Sequence, residues 1–233
     1  MSNPGAGVLG LFGGTFDPLH VAHLRLAIEA REALGLAEVC FIPAGRPALR
    51  EAPRCSADDR LAMVERALAD APGFSVDAAE VLDPAGRPSY TVETLERQRR
   101  LHGAQRPLVL LLGADAFARL EAWHRWRELF ALAHIGVATR PGHGLTVRRS
   151  GIHADGAGAT PLDREFAARQ GEAADLAGAP AGRIVCFAIT ALEISATAIR
   201  QRLAQGLSVR HLVADGVLDY IESRQLYRTP HGH

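Results

Sequence analysis

Gly13-Gly14-Thr15-Phe16-Asp17-Pro18-Leu19-His20-Val21-Ala22-His23 separates an apolar run at 8–12 from a helical pattern that reaches about residue 34. A short apolar strand, a glycine turn and a helix in immediate succession read as the start of a βαβ unit. Two glycines let the main chain approach a ligand closely. His20 and His23, three residues apart, fall on one face of the first helical turn. The N–H groups at a helix start lack intrahelical acceptors and attract anions. Glycines, imidazoles and a helix N-terminus in one place point to a phosphate site. Taken singly, the residues have simpler readings. Asp17 could cap the helix with Pro18 at its first position, and an i, i+3 histidine pair could be half of a metal site. Zinc takes three or four ligands, and no Cys or carboxylate cluster stands beside the pair, so no protein-held metal is expected. None of these readings accounts for the glycines and both histidines together.

Outward from this segment the alternation continues. Strands are predicted at 8–12, 39–42, 74–76, 108–112, 135–138 and 184–188, and helices at 20–34, 57–69, 91–102 and 126–133. That order favours an α/β fold with a parallel sheet. Ser56 followed by Asp59 looks like an N-cap with an acidic N3 residue. From 140 to 183 the pattern weakens into Gly, Ala and Pro, with a short helix at 163–170. Such a stretch is either a functional surface insertion or partly mobile. The C-terminal part, 195–227, reads as helical: 195–205 stopped by Gly206, then 209–214 and 217–224. No internal repeat interrupts this order, and 1–233 is expected to form a single domain.

Bulk properties narrow the function. The 233 residues are 48% hydrophobic and 22% charged, with 26 basic and 26 acidic residues. All of the basic residues are arginine, a compositional bias. Zero net charge argues against a nucleic-acid or acidic-membrane partner, which needs basic excess. No run of about 18 apolar residues predicts a membrane span, and the N-terminus lacks a signal-peptide pattern. Cys40, Cys55 and Cys186 have no metal-ligand spacing. Cys40 and Cys186 lie in apolar strand candidates, so buried free thiols and a cytoplasmic location are expected.

Three unusual segments follow predicted strands: 13–23, 113–115 and 193–200. Open parallel sheets bind ligands beyond the carboxyl ends of their strands. Convergence of the three would gather glycines, two histidines, an aspartate, two hydroxyls and an arginine, an inventory suited to a nucleotide. Ser195 can cap a helix, Thr197 lies in its first turn, and Arg200 can reach phosphate oxygens as a bidentate donor. Alone, that segment is an ordinary capped helix. The glycines at 10, 13 and 14 lack the G-x-G-x-x-G spacing, and no G-x-x-x-x-G-K-[ST] loop occurs, which removes the main support for hydride transfer and P-loop hydrolysis.

Gly14-Thr15-Phe16-Asp17-Pro18-Leu19-His20-Val21-Ala22-His23 resembles the G-T-F-D-P-x-H-x-G-H signature of the nucleotidyltransferase superfamily. Ile194-Ser195-Ala196-Thr197-Ala198-Ile199-Arg200 resembles its I-S-S-T-x-I-R. Further segments are similar to the bacterial nicotinate-nucleotide adenylyltransferase family: Pro88-Ser89-Tyr90-Thr91-Val92-Glu93-Thr94-Leu95, Leu112-Gly113-Ala114-Asp115 followed by Trp123, Arg140-Pro141-Gly142, and the ending from Leu212 to Tyr227. Ala22 replaces a family glycine and Ala196 a serine. Leu49 stands where the family has histidine and cannot contact phosphate, while Arg50 keeps a cation there.

The resemblance implies a Rossmann-like doubly wound parallel sheet with a helical C-terminal part. It implies an enzyme that joins ATP and nicotinate mononucleotide with Mg²⁺, giving nicotinate adenine dinucleotide and pyrophosphate in NAD biosynthesis. His20, His23 and Arg200 would be catalytic. Gly13, Gly14, Thr15, Phe16, Ser195, Thr197 and Arg50 would bind ATP. Ser89, Tyr90, Thr91, Asp115 and Trp123 would bind the mononucleotide, with Trp123 as a stacking platform, although Trp123 and Trp126 could equally be core residues. Adenylyl transfer to nicotinamide mononucleotide or phosphopantetheine, and a nucleotide-binding sensor without catalysis, are the alternatives. A homo-oligomer is compatible with the sequence.

Overall fold

The computed structural model describes residues 7–48, 52–139 and 159–228. Six strands form one parallel sheet in the order β3-β2-β1-β4-β5-β6. They are β1 (Leu9–Gly14), β2 (Glu38–Pro43), β3 (Phe74–Val76), β4 (Leu108–Gly113), β5 (His134–Thr139) and β6 (Ile184–Ala188). The helices are α1 (Val21–Ala33), α2 (Ala57–Leu68), α3 (Thr91–His102), α4 (Ala114–Phe117), α5 (Leu129–Leu132), α6 (Pro161–Arg169), α7 (Ala196–Ala204) and α8 (Asp215–Ser223). This strand order is that of a doubly wound Rossmann-like sheet, and it reverses between β1 and β4. The central strands read as unbroken apolar runs because a parallel sheet is covered on both faces. In β4, Leu108, Val109, Leu110, Leu111 and Leu112 are all buried. Among the described residues no helix is long and apolar enough to cross a membrane.

The chain divides into two compact units. The first comprises Met1–Phe12, Ile28–Val39 and Tyr90–Ala191. Here β4 pairs β5 with Leu110 opposite Ile135, and β5 pairs β6 with Ile135 opposite Ile184. A Cβ at Gly136 would lie 2.9 Å from Leu34 Cδ1 and 3.0 Å from Leu111 Cδ2, so the missing side chain lets two leucines close over β5. His134 is fully buried. Its Nε2 donates to the Ala179 carbonyl at 2.8 Å and its Nδ1 accepts from the Arg183 N–H at 3.0 Å, which fixes the neutral tautomer.

The second unit comprises Gly13–Ala27, Cys40–Ser89 and Leu192–His233. Its core joins Met63 of α2, Ile199 of α7, Val209 and Val213 of the following turn, and Val217, Leu218 and Ile221 of α8. Ser56 caps α2 as the sequence suggested: its Oγ accepts from the Asp59 N–H at 3.0 Å and donates to Asp59 Oδ2 at 2.7 Å. Asp59 in turn accepts from the Tyr220 hydroxyl at 2.9 Å, tying α2 to α8.

Several expectations need correction. Residues 209–214 form no helix. They make a tight turn with a bridge between Arg210 and Val213 and His211 at φ 65°, because Val209 and Val213 both turn inward to the core. Cys186 is exposed, its neighbours on β6 alternating so that Val185 and Phe187 take the buried face; Cys40 is buried as expected. The 126–133 segment divides into a 3₁₀ turn, Trp126–Glu128, and α5. Within the weak stretch, the described residues begin at 159. Thr160 and Asp163 form a reciprocal capping box at the start of α6, and a 3₁₀ segment follows at Ala173–Gly178. Residues 140–158, with the R-P-G segment, lie outside the described residues, as do Leu49 and Arg50.

A Cβ at Gly45 would lie 2.0 Å from the Glu80 carbonyl oxygen, and main chain cannot yield as a side-chain tip can. Gly45→Ala is therefore expected to cost about 3 kcal/mol, read in thermal unfolding as a Tm drop of roughly 6–12 °C for a chain of this size. An unchanged Tm would show that the β2 loop is free to move.

Candidate active site

The second unit gathers most of the phosphate-binding candidates. β1 ends at Gly13 and Gly14, and the Gly14 carbonyl accepts from the Ala44 N–H at 2.9 Å, which holds the loop after β1 beside the loop after β2. Phe16 follows at φ 50° with its ring buried. A Cβ at Gly14 would lie 2.6 Å from that ring, so glycine is needed there for the ring's close approach. The Phe16 ring meets His23 edge-on at 5.2 Å. Phe16 thus buttresses an imidazole.

His20 and His23 stack at 3.8 Å between ring centroids, with planes 25° apart. The His20 N–H donates to His23 Nδ1 at 3.3 Å. In a neutral His23 the proton therefore sits on Nε2. His20 is 6% exposed, and its Nδ1 is buried with no hydrogen-bond partner among the described residues. Burial lowers the His20 pKa from 6.5 to about 4, against a smaller opposing effect of its own main chain, so the ring is neutral at pH 7.

The start of α1 differs from expectation. His20 precedes the helix, and the Val21 N–H goes to the Leu212 carbonyl at 2.9 Å. The His23 and Leu24 N–H groups go to the His20 carbonyl. Asp17 does not cap α1. Its buried carboxylate accepts from the Arg54 N–H at Oδ2 and the Tyr227 hydroxyl at Oδ1, each at 2.7 Å. Helix-start amides without intrahelical acceptors are found at α7. Ser195 Oγ accepts from the Ala198 N–H at 3.2 Å, while the amides of Ala196 and Thr197 have no intrahelical acceptor. Arg200 Nη1 donates to the Asp17 carbonyl at 2.7 Å and Nη2 to Thr197 Oγ1 at 3.3 Å, joining the two signature segments directly.

Arg60 was invisible in the sequence, where it looks like one more polar residue of an amphipathic helix. It is 1% exposed, and its guanidinium donates to the carbonyls of Thr15 (2.8 Å), Ala44 (2.6 Å) and Gly45 (2.9 Å). Thr15 is thus fixed through its main chain. Ser89 is in this unit too; its hydroxyl accepts from the Arg46 N–H at 3.3 Å and its own N–H goes to the Arg46 carbonyl at 2.8 Å. Cys55 lies against Tyr227, its thiol pushed up to about 11, chiefly by burial.

The first unit holds the other candidates. Tyr90 is the N-cap of α3 and Thr91 its first residue, so first-turn amides open there without intrahelical acceptors. The Tyr90 ring lies 4.7 Å from that of His124, which draws the α3 start to the loop carrying Trp123. Trp126 is core, packed edge-on against Phe130 at 6.0 Å, whereas Trp123 is only half-buried. The two tryptophans therefore have different fates. Arg125, at φ 53°, holds this loop by ion pairs to Glu96 at 2.8 Å and Glu128 at 2.6 Å. Asp115 is exposed in the first turn of α4. Neither His124 nor Arg125 had a sequence signal beyond its adjacency to Trp123.

Among the described residues no group of three or more His, Cys, Asp or Glu side chains could hold a metal. Asp17, the acid within the signature turn, has both oxygens engaged by donors. This donor set fits a divalent ion that arrives on a polyphosphate better than one held in a protein cage.

Residues 11–202 match the cytidylyltransferase-like family model. The chain is 50% identical to the "Probable nicotinate-nucleotide adenylyltransferase" of Dechloromonas aromatica (strain RCB), over 98% of this chain and 99% of that one. It is 45% identical to the protein of the same name from Pseudomonas putida (strain W619), over 95% of each chain. Its fold is similar to that of Plasmodium falciparum nicotinic acid mononucleotide adenylyltransferase complexed with NaAD, with a TM-score of 0.64 and 15% identity over 94% of this chain and 97% of that one.

Because His20 is neutral when folded and ordinary when unfolded, the unfolded chain binds more protons between about pH 4 and pH 6.5. Stability from this group is complete above pH 6.5 and is lost as the pH falls toward 4. Urea unfolding at pH 7 and pH 5 should show a smaller acid-induced loss in His20→Gln than in the unsubstituted protein. Equal losses would mean that the ring is hydrated.

Proposed function

The chain belongs to the nicotinate-nucleotide adenylyltransferase family, and on that premise we propose that it transfers the adenylyl group of ATP to nicotinate mononucleotide. A 5′-phosphate oxygen of the mononucleotide attacks the α-phosphorus of ATP in line. The bond from that phosphorus to the bridging oxygen breaks, pyrophosphate leaves, and nicotinate adenine dinucleotide forms. The nucleophile is already an anion, so no strong general base is required. What the protein must supply is position and compensation of charge.

The observation that supports this most is the junction of the two signature segments through Arg200, Asp17 and Thr197. It places a guanidinium, a hydroxyl and open α7 amides on the element that meets the histidine turn. In this reading Ser195, Thr197 and Arg200 receive the β- and γ-phosphates. His23 donates from Nε2 to phosphate oxygen. His20, neutral and with Nδ1 unpartnered, is a donor whose desolvation has already been met by folding. Gly13, Gly14 and Thr15 line the turn by main chain, and Arg50 adds a cation. Magnesium bound to the triphosphate would neutralise part of its charge.

For the mononucleotide, the half-buried Trp123 offers a face for the pyridine ring. The α3 start at Tyr90 and Thr91 offers donors for the carboxylate, with Ser89 just before it. Asp115, exposed beyond β4, suits ribose hydroxyls. The whole chain would act as one nucleotidyltransferase domain in the cytoplasm, consistent with cysteines that are all free.

Pyrophosphate release by the purified protein with ATP, Mg²⁺ and each acceptor in turn tests the reaction. Release is expected with nicotinate mononucleotide, and none with any acceptor would sink the proposal. His20→Ala should fold but lose about 100- to 1,000-fold in kcat, the usual cost of one oxyanion donor; near-normal turnover would remove it from the mechanism. Trp123→Ala should raise the KM for the mononucleotide and leave that for ATP unchanged. The opposite pattern would reverse the two subsites.

A further inference from the structure

We propose that Tyr227, near the C-terminal end of the chain, is a positioning residue that keeps the Asp17 carboxylate occupied so that Arg200 stays available to a phosphate. This rests on the reading above that Arg200 serves the triphosphate. Asp17 is 6% exposed, and besides the Cys55 thiol, which touches its carboxylate, three donors stand about it. The Arg54 N–H takes Oδ2 at 2.7 Å and the Tyr227 hydroxyl takes Oδ1 at 2.7 Å. Arg200 Nη1 stands 3.9 Å from Oδ2, but its hydrogen bond goes to the main-chain carbonyl of the same residue at 2.7 Å. The guanidinium is therefore held beside a carboxylate without being captured by it. A carboxylate that lost its phenol donor would be a buried anion one short step from a cation, and bidentate capture is the strong interaction such a pair forms. An Arg200 closed on Asp17 would face a phosphate less well.

The placing of Tyr227 is costly, which indicates that the surroundings determine it. Gln225 and Tyr227 both have positive φ, 53° and 63°. Between them Leu226 packs against the α8 core and returns its N–H to the Ile221 carbonyl at 3.0 Å. The turn after α8 thus uses Leu226 as an anchor and swings the next side chain to Asp17. Burial, with the contacts to Cys55 and Asp17, raises the Tyr227 pKa above its ordinary value, so the phenol is a donor throughout the working pH range. Arg54 with its neighbour Cys55, Arg200 and Tyr227 come from separate parts of the chain and meet on this one aspartate.

Tyr227→Phe removes only the hydroxyl. ATP affinity by titration calorimetry should weaken about tenfold, the size expected for a hydrogen bond to a charged group. The KM for nicotinate mononucleotide and the Tm should stay close to those of the unsubstituted protein. Asp17→Asn introduced into Tyr227→Phe removes the capturing charge and should recover most of the ATP affinity, which a merely structural role would not allow. Unchanged ATP affinity in Tyr227→Phe, an equal loss for both substrates, no recovery in the double variant, or a Tyr227→Phe chain that does not fold would each overturn the proposal. ATP binding needs no turnover, so an inactive unsubstituted protein would sink the reaction proposed above and still leave this comparison readable.

Discussion

The buried guanidinium of Arg60 is the constraint on which the histidine-bearing half of this protein depends. A parallel sheet ends in loops whose carbonyls point away from the ladder and need donors. Arg60 meets three of them at once, on Thr15, Ala44 and Gly45, and so sets the spacing between the exits of β1 and β2. Burial lowers its pKa, but from so high a value that the group keeps its charge. A lysine could not reproduce this, since it lacks the planar fork that spans separate acceptors. Everything that follows Thr15, including the Asp17 turn and the histidine pair, starts from a main chain pinned in this way.

The histidine pair is held in one geometry by its own surroundings. Phe16 supports one ring edge-on, the rings stack, and the His20 N–H selects the His23 tautomer. Desolvation keeps His20 neutral. In the function proposed above these would be preorganising effects, whose free energy comes from the core beneath. The same economy holds in the first unit, where the Arg125 ion pairs and the Tyr90–His124 contact steady the loop that leaves Trp123 half-buried.

Much of this was legible in the chain. Unbroken apolar runs such as Leu108 to Leu112 predict strands because only a doubly covered sheet buries every position. Ser56 with Asp59, and Gly206 after α7, mark helix ends through local chemistry that needs no partner from elsewhere. The errors share a cause. The 209–214 segment has helical composition, yet Val209 and Val213 must both reach the α2–α8 core, and a tight turn achieves that. Cys186 looks buried in an apolar run, but it lies on the open face of β6. Asp17 has the look of a helix cap, but Arg54 and Tyr227 claim its oxygens.

By itself the sequence determined the fold class, the family and the two signature segments. The fold class is written in local pattern, as periodicity, glycine placement and capping residues, and the family in the resemblance that the signature segments carry. Tertiary structure alone decided which nitrogen of His23 carries a proton and why Phe16 supports a ring. It also decided that Trp126 is core while Trp123 is accessible, and that Arg60 and Tyr227 matter at all. Each of those outcomes depends on a partner far away in the chain, Tyr227 on Asp17 across 210 residues being the extreme case. Residue type states what a group can do, and only the fold states what stands within hydrogen-bonding distance of it.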